Sequence, residues 1–126
     1  MINRVRSVGI YVRDQDAAKR FYTETLGFEL LQDTPMADGA SARWIEVKPP
    51  QDDLILVLFT PPGQEDRIGG FSNVLFHTDD IQATFEELRA KGVEFTTEPR
   101  KEYWGSWWAQ FKDPEGNEFG LGQDAG

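Results

Sequence analysis

The chain has no cysteine and a single histidine, His77, among its 126 residues. Without thiols there are no disulfides, thiolate metal centres or cysteine nucleophiles. One imidazole leaves Ser7, Ser41, Ser72 and Ser106 with one possible base between them, and none of the four sits in a glycine elbow. Long apolar runs are also missing, so no segment approaches the length that crosses a bilayer. The opening MINRVRSVGIYVRD lacks the apolar stretch and small-residue cleavage site of a secretory signal. A soluble, cytoplasmic domain is expected. Positive charge is scarce, with 13 Lys and Arg against 22 Asp and Glu, for a formal net charge of −9. Such a surface repels phosphate backbones and anionic lipid, so neither nucleic acid nor a membrane is expected as a partner. Gly69-Gly70 is too short to cradle a phosphate and opens no helix.

What is present is apolar and aromatic. Hydrophobic residues make up 39% of the chain, and nine Phe and four Trp supply much of that area. This suffices for one domain, or for two half-domains sharing a core. An internal repeat favours a duplicated architecture. Val8, Ile10 and Val12 alternate with Ser7, Gly9 and Tyr11 as in a half-buried strand. Asp14 then offers an N-cap to a helix carrying Ala17, Ala18, Phe21, Tyr22 and Leu26, which Gly27 ends before a strand at Phe28–Leu31. Downstream, Val74, Phe76 and Thr78 alternate with Asn73, Leu75 and His77. Asp80 caps a helix bearing Ile81, Phe85 and Leu88, and Gly92 stops it before Val93-Glu94-Phe95. The two capping aspartates lie 66 residues apart and the two stop glycines 65, so the second helix is one residue shorter.

Two further strands close each copy, Ala42–Lys48 with Leu54–Thr60 and Trp107–Lys112 with Asn117–Gly122. Asp113-Pro114-Glu115-Gly116 has the residue order of a type I turn between the last pair. The pattern predicts an α+β domain over residues 1–126, built from tandem βαβββ modules at 5–60 and 71–122 joined by a linker at 61–70. Gln32–Ser41 and Thr96–Ser106 are expected to be mobile loops.

With the repeat, Gly27-Phe28-Glu29 and Phe111-Lys112-Asp113-Pro114-Glu115-Gly116-Asn117 in view, the chain resembles the vicinal-oxygen-chelate superfamily. That group includes glyoxalase I, bleomycin-resistance proteins and extradiol dioxygenases, and the resemblance runs from Val5 to about Gly122. It implies a cupped, mostly antiparallel sheet with helices on the convex side and a ligand cavity on the concave side. Such sheets leave edge strands to be covered, so a homodimer is expected, and the family has modules paired within a chain or swapped between chains. Family members usually hold a divalent metal at positions that correspond here to Ser7, Val57, Asn73 and Gly120. A hydroxyl, an isopropyl group, an amide and a bare glycine make a poor donor set for such an ion. No metal or other cofactor is therefore expected.

The strand period places Ser7, Tyr11, Trp44, Glu46, Val57, Phe59, Asn73, Leu75, His77, Gln110 and Glu118 on the concave side, provided no bulge intervenes. Trp104 and Trp108, with Tyr103 and Trp107, form an aromatic cluster around a loop marked by Gly105. These residues suit an aromatic-lined cavity for a small aromatic or cationic molecule, oriented by Ser7, Asn73 and Gln110. Two other chemistries stay open. Glu118 or Glu46, its pKa raised by an apolar cavity, could act as general base with His77 in a lyase or isomerase. Alternatively His77, Glu118 and a third donor, Glu46 or Gln110, could rebuild a metal site in a glyoxalase-like enzyme.

Overall fold

A computed structural model describes residues 1–125, so Gly126, the last residue of the expected domain span, lies outside the described residues. The chain forms two compact units that divide after Ile68. In the first, β1 (Ser7–Ile10), β2 (Glu29–Pro35), β3 (Arg43–Lys48) and β4 (Ile55–Leu58) form a sheet in the order β1-β4-β3-β2. In the second, β5 (Gly70–His77), β6 (Glu94–Lys101), β7 (Trp107–Lys112) and β8 (Asn117–Gln123) repeat that order as β5-β8-β7-β6. Each sheet is mixed: β1 runs parallel to β4 and β5 to β8, while the remaining neighbours are antiparallel. The α+β class and the repeated strand–helix–strand–strand–strand order are as the sequence predicts.

The helices begin where their aspartates stand. Asp14 Oδ1 accepts from the Ala17 amide at 3.0 Å and caps α1 (Gln15–Arg20). Asp80 Oδ1 accepts from the Ala83 amide at 3.0 Å and caps α2 (Ile81–Ala90). α1 passes directly into a π-helical turn over Phe21–Thr25, where the Leu26 amide donates to the Phe21 carbonyl at 2.9 Å. An i→i+5 turn holds one residue more than an α turn. The extra residue between Asp14 and Gly27 is absorbed there. Gly27 follows at φ 74°, a left-handed conformation that costs a residue with a Cβ.

Each helix covers one face of its own sheet. Ile81, Phe85 and Leu88 are all buried, and Phe85 meets Phe95 edge-on at 4.8 Å. Phe111 and Phe119, 5.6 Å apart, continue that layer, which Phe76 joins at 5.1 Å from Phe119. In the first unit Tyr22, Ile45, Val47, Leu56 and Leu58 are almost wholly inaccessible. Burial of such side chains stabilises by roughly 1.5–3 kcal/mol each.

Two expected loops are strands over much of their length. β2 continues through Gln32 to Pro35, pairing Thr34 with Trp44 and Pro35 with Arg43. β6 continues through Pro99 to Lys101. Both are edge strands, where polar residues face water and a proline's missing N–H breaks no ladder bond. Asp33 is further tied down by Arg43, Nε to Oδ1 at 2.8 Å, and by Lys19 Nζ at 2.8 Å. The Arg43 hydrogen bond, more than the Lys19 bond and both charges, holds the Asp33 carboxyl below its ordinary pKa against the opposing effect of burial. The last hairpin matches expectation: the Gly116 amide donates to the Asp113 carbonyl at 3.1 Å, and buried Asp113 Oδ1 accepts from the amides of Glu115 and Asn117, both at 2.9 Å.

Candidate functional site

Helix contacts separate the two faces of the first sheet. Asp33 and Arg43 pair with Lys19 and Asp16 of α1, so they lie on the helix side. Strand alternation then turns Gln32 and Trp44 to the helix-free face. The register continues that face across the sheet through Gln32, Glu46, Val57 and Gly9. Trp44 and Phe59 meet here with ring centroids 5.6 Å apart. Tyr11 lies just past β1 and covers Gly9, whose absent Cβ would be 3.4 Å from Tyr11 Cε1. The Arg67 guanidinium stands 5.7 Å from the Tyr11 ring centroid. Ser7 is half-buried opposite Ile55, and Val57 is buried.

Glu46 is at the centre of this face and only 3% exposed. Its Oε2 accepts from Trp44 Nε1 at 2.8 Å and from Arg6 Nη2 at 3.0 Å. Burial pushes its pKa up, but hydrogen bonds from Trp44, Arg6 and Gln32, with the charge of Arg6, outweigh that and leave it lowered. The expectation of a raised, proton-accepting Glu46 is therefore corrected. Three donors favour the carboxylate, and what Glu46 does is fix the Trp44 indole. Arg6 and Gln32 were not among the sequence candidates. Arg6 lies outside β1, and Gln32 falls in a polar stretch without alternation, so neither carries a facing signal in the sequence.

In the second sheet, Val74 and Phe76 turn toward α2, and Asn73, Leu75 and His77 are exposed on the other side. Adjacent strands contribute Glu118, Gly120 and Gly122 from β8 and Trp108 and Gln110 from β7. A bulge interrupts β5 between Phe71 and Leu75, and within it Asn73 adopts φ 64°. Left-handed backbone is tolerated by asparagine but costly within a strand. Gln110 Oε1 accepts from Thr97 at 3.0 Å, and Glu118 Oε2 accepts from Thr96 at 3.0 Å. Trp104 is exposed at the tip of the β6–β7 hairpin, edge-on to Tyr103 at 5.0 Å.

His77 and Glu118 are not brought together. His77 lies opposite Gly122, four residues along β8 from Glu118, a separation of about 13 Å at strand rise. His77 instead stands between exposed Asp79 and Asp124, at 4.0 and 3.8 Å. Among the described residues no three His, Asp or Glu side chains are grouped to hold a metal ion. The four family positions do not fit one either. Val57 is buried and apolar, Ser7 and Asn73 are neutral, and a side chain at Gly120 would collide with Trp108. A separate cleft of about 500 Å³ opens in the first unit beside the start of α1, lined by Val12, Arg13, Ala42, Thr60 and Ile68. Phe59 alone among the sequence candidates borders it.

This fold and repeat define a two-module, glyoxalase-type chain. Residues 2–121 match the Glyoxalase/Bleomycin resistance protein/Dioxygenase superfamily, and the chain belongs to that family. It is similar to the uncharacterized protein YetH of Bacillus subtilis (strain 168), 38% identical over 96% of this chain and 98% of the relative. Among solved structures it is similar to a superfamily member from Sphaerobacter thermophilus DSM 20745, with 34% identity, 98% of both chains covered and a TM-score of 0.88. It also resembles TnmS3, an antibiotic binding protein from Streptomyces sp. CB03234, with 38% identity, 98% of both chains covered and a TM-score of 0.80.

Proposed function

We propose that this chain is a small-molecule-binding member of its superfamily. It takes up an aromatic or cationic organic compound on the aromatic, helix-free sheet faces and uses no catalytic metal. The observation that carries this reading is the donor set at the four family positions, Ser7, Val57, Asn73 and Gly120, which offers no charged or imidazole ligand. Similarity to an antibiotic binding protein supports it. So does the packing of Trp44 on Phe59, its indole held by Glu46, which suits a flat aromatic guest. Metal-dependent lyase chemistry is disfavoured, because Ser7, Val57, Asn73 and Gly120 offer no charged or imidazole group to hold an ion against an enolate oxygen. A cytoplasmic location accords with the lack of cysteine.

The test is a tryptophan-fluorescence titration of untagged protein with neutral and cationic aromatic drugs, beside elemental analysis and an assay with methylglyoxal, glutathione and added nickel or zinc. Saturable micromolar quenching, with no stoichiometric metal and no turnover, is the expected result. Stoichiometric transition metal, or turnover restored by nickel or zinc, overturns it, as does an empty drug panel.

A further inference from the structure

Two glycines of β8, Gly120 and Gly122, lie on the helix-free face of the second sheet, and neither has a positive φ. Their backbone conformation is open to any residue, so a need for glycine must come from space. At Gly122 there is no such need: an added Cβ would lie 3.8 Å from the Trp107 carbonyl oxygen and 4.0 Å from that of Phe76, ordinary contacts. Gly120 differs sharply. A Cβ there would lie 2.2 Å from Trp108 Cη2, 2.9 Å from Trp108 Cζ2 and 2.6 Å from Leu75 Cδ2. Trp108 faces Gly122 in the ladder, while Gln110 faces Gly120, so the indole leans diagonally along β8 to occupy the room that Gly120 leaves.

We infer that Gly120 is a specificity-determining residue: by having no side chain it seats Trp108 against Leu75, making an apolar shelf that selects planar aromatic ring systems carrying positive charge. This deepens the proposed binding function and rests on it. Leu75 is 60% exposed and Trp108 half-buried, so the shelf is accessible from one side. An indole wedged by a strand neighbour and a leucine has few rotamers left to lose, and a rigid aromatic surface binds flat guests at low entropic cost. The preference for a cation comes from Glu118, two residues before Gly120 on the same face and so about 7 Å along the strand. Its Oε2 accepts from Thr96, and Lys112, opposite it in the ladder, has its Nζ 3.8 Å from Glu94. A fused-ring guest lying on Trp108 and Leu75 places an amino substituent within reach of that carboxylate.

Proflavine, a planar tricyclic diamine, is the probe, and adamantan-1-amine is the equally charged but globular control. Both are titrated by calorimetry into the full chain and into Gly120→Ala, Gly122→Ala, Trp108→Leu and the Gly120→Ala/Trp108→Leu double variant, each checked for native circular dichroism. Loss of a stacking partner is worth about tenfold or more in affinity. Proflavine is expected to bind with micromolar affinity and adamantan-1-amine at least about tenfold more weakly. Gly120→Ala and Trp108→Leu each lose about tenfold, Gly122→Ala stays within about twofold, and the double variant is no weaker than Trp108→Leu alone. Should Gly120→Ala fail to fold, the comparison of Trp108→Leu with Gly122→Ala decides. Unchanged proflavine affinity in Gly120→Ala or Trp108→Leu overturns the inference while leaving a small-molecule binder intact. So does equal affinity for the globular amine. If neither amine binds the native chain the inference falls, and the drug panel settles the function separately.

Discussion

At the residue scale, Glu46 shows how an acid suited to proton transfer becomes a structural anchor. Replacing it by Gln keeps the shape but removes the charge that Trp44, Arg6 and Gln32 all favour. Hydrogen bonds to a buried charged group contribute about 1.5–3 kcal/mol, and the Arg6 share is screened because that side chain is 55% exposed. Glu46→Gln is therefore expected to lower unfolding free energy by roughly 1–2 kcal/mol at pH 7. Because the folded pKa lies below the ordinary 4.5, this contribution is complete above that value and is lost as pH falls through the folded pKa. Urea melts at pH 7 and near pH 3 should show the wild-type advantage shrinking in acid. An advantage that is constant with pH contradicts the assignment.

At the element scale, the π-helical turn at Phe21–Thr25 explains the one-residue mismatch between the two copies. Deleting exposed Glu24 should let that turn close as ordinary α-helix, with Gly27 still in place, at a cost below about 1.5 kcal/mol. Deleting exposed Glu86 from α2 has no spare residue to absorb it and turns Leu88 about 100° away from Ile81 and Phe85. A loss exceeding about 3 kcal/mol is expected for that deletion, since a core leucine is withdrawn. Thermal melts of the pair check this directly, and equal losses would refute the π-turn account. Prolonged edge strands follow the same logic of local chemistry meeting position: Pro99 is harmless in β6 because that strand has a neighbour on one side only.

At the scale of the whole molecule, charge and edges set the expectations. A net charge of −9 attracts cations over a Debye length, so association of a cationic dye should slow severalfold between 20 mM and 500 mM NaCl, while a neutral dye is unaffected. Stopped-flow fluorescence reads both. Edge strand β2 exposes Leu30 and Leu31, each 40% accessible, with Met36 at 46% just beyond its end. Unpaired edges bearing apolar side chains invite a partner, and we propose a homodimer. Analytical ultracentrifugation should give twice the chain mass at micromolar concentration, and a monomer mass would reject it.

Patterning within a few residues made much of this protein legible from its sequence. Asp14 and Asp80 cap, Gly27 and Gly92 stop, and Ile81, Phe85 and Leu88 are buried, because capping bonds, left-handed φ and helical periodicity are local properties. That Ser7, Val57, Asn73 and Gly120 carry no charged or imidazole group is equally plain, since residue chemistry needs no coordinates. Only the tertiary structure decided where β2 and β6 end, because an edge strand takes its hydrogen bonds from one distant neighbour. It likewise decided that Glu46 is held ionised, that His77 and Glu118 stand apart, and that Gly120 is filled by Trp108. Each of those outcomes depends on strand register and on how far a long side chain leans across it, quantities set by packing between segments remote in the chain.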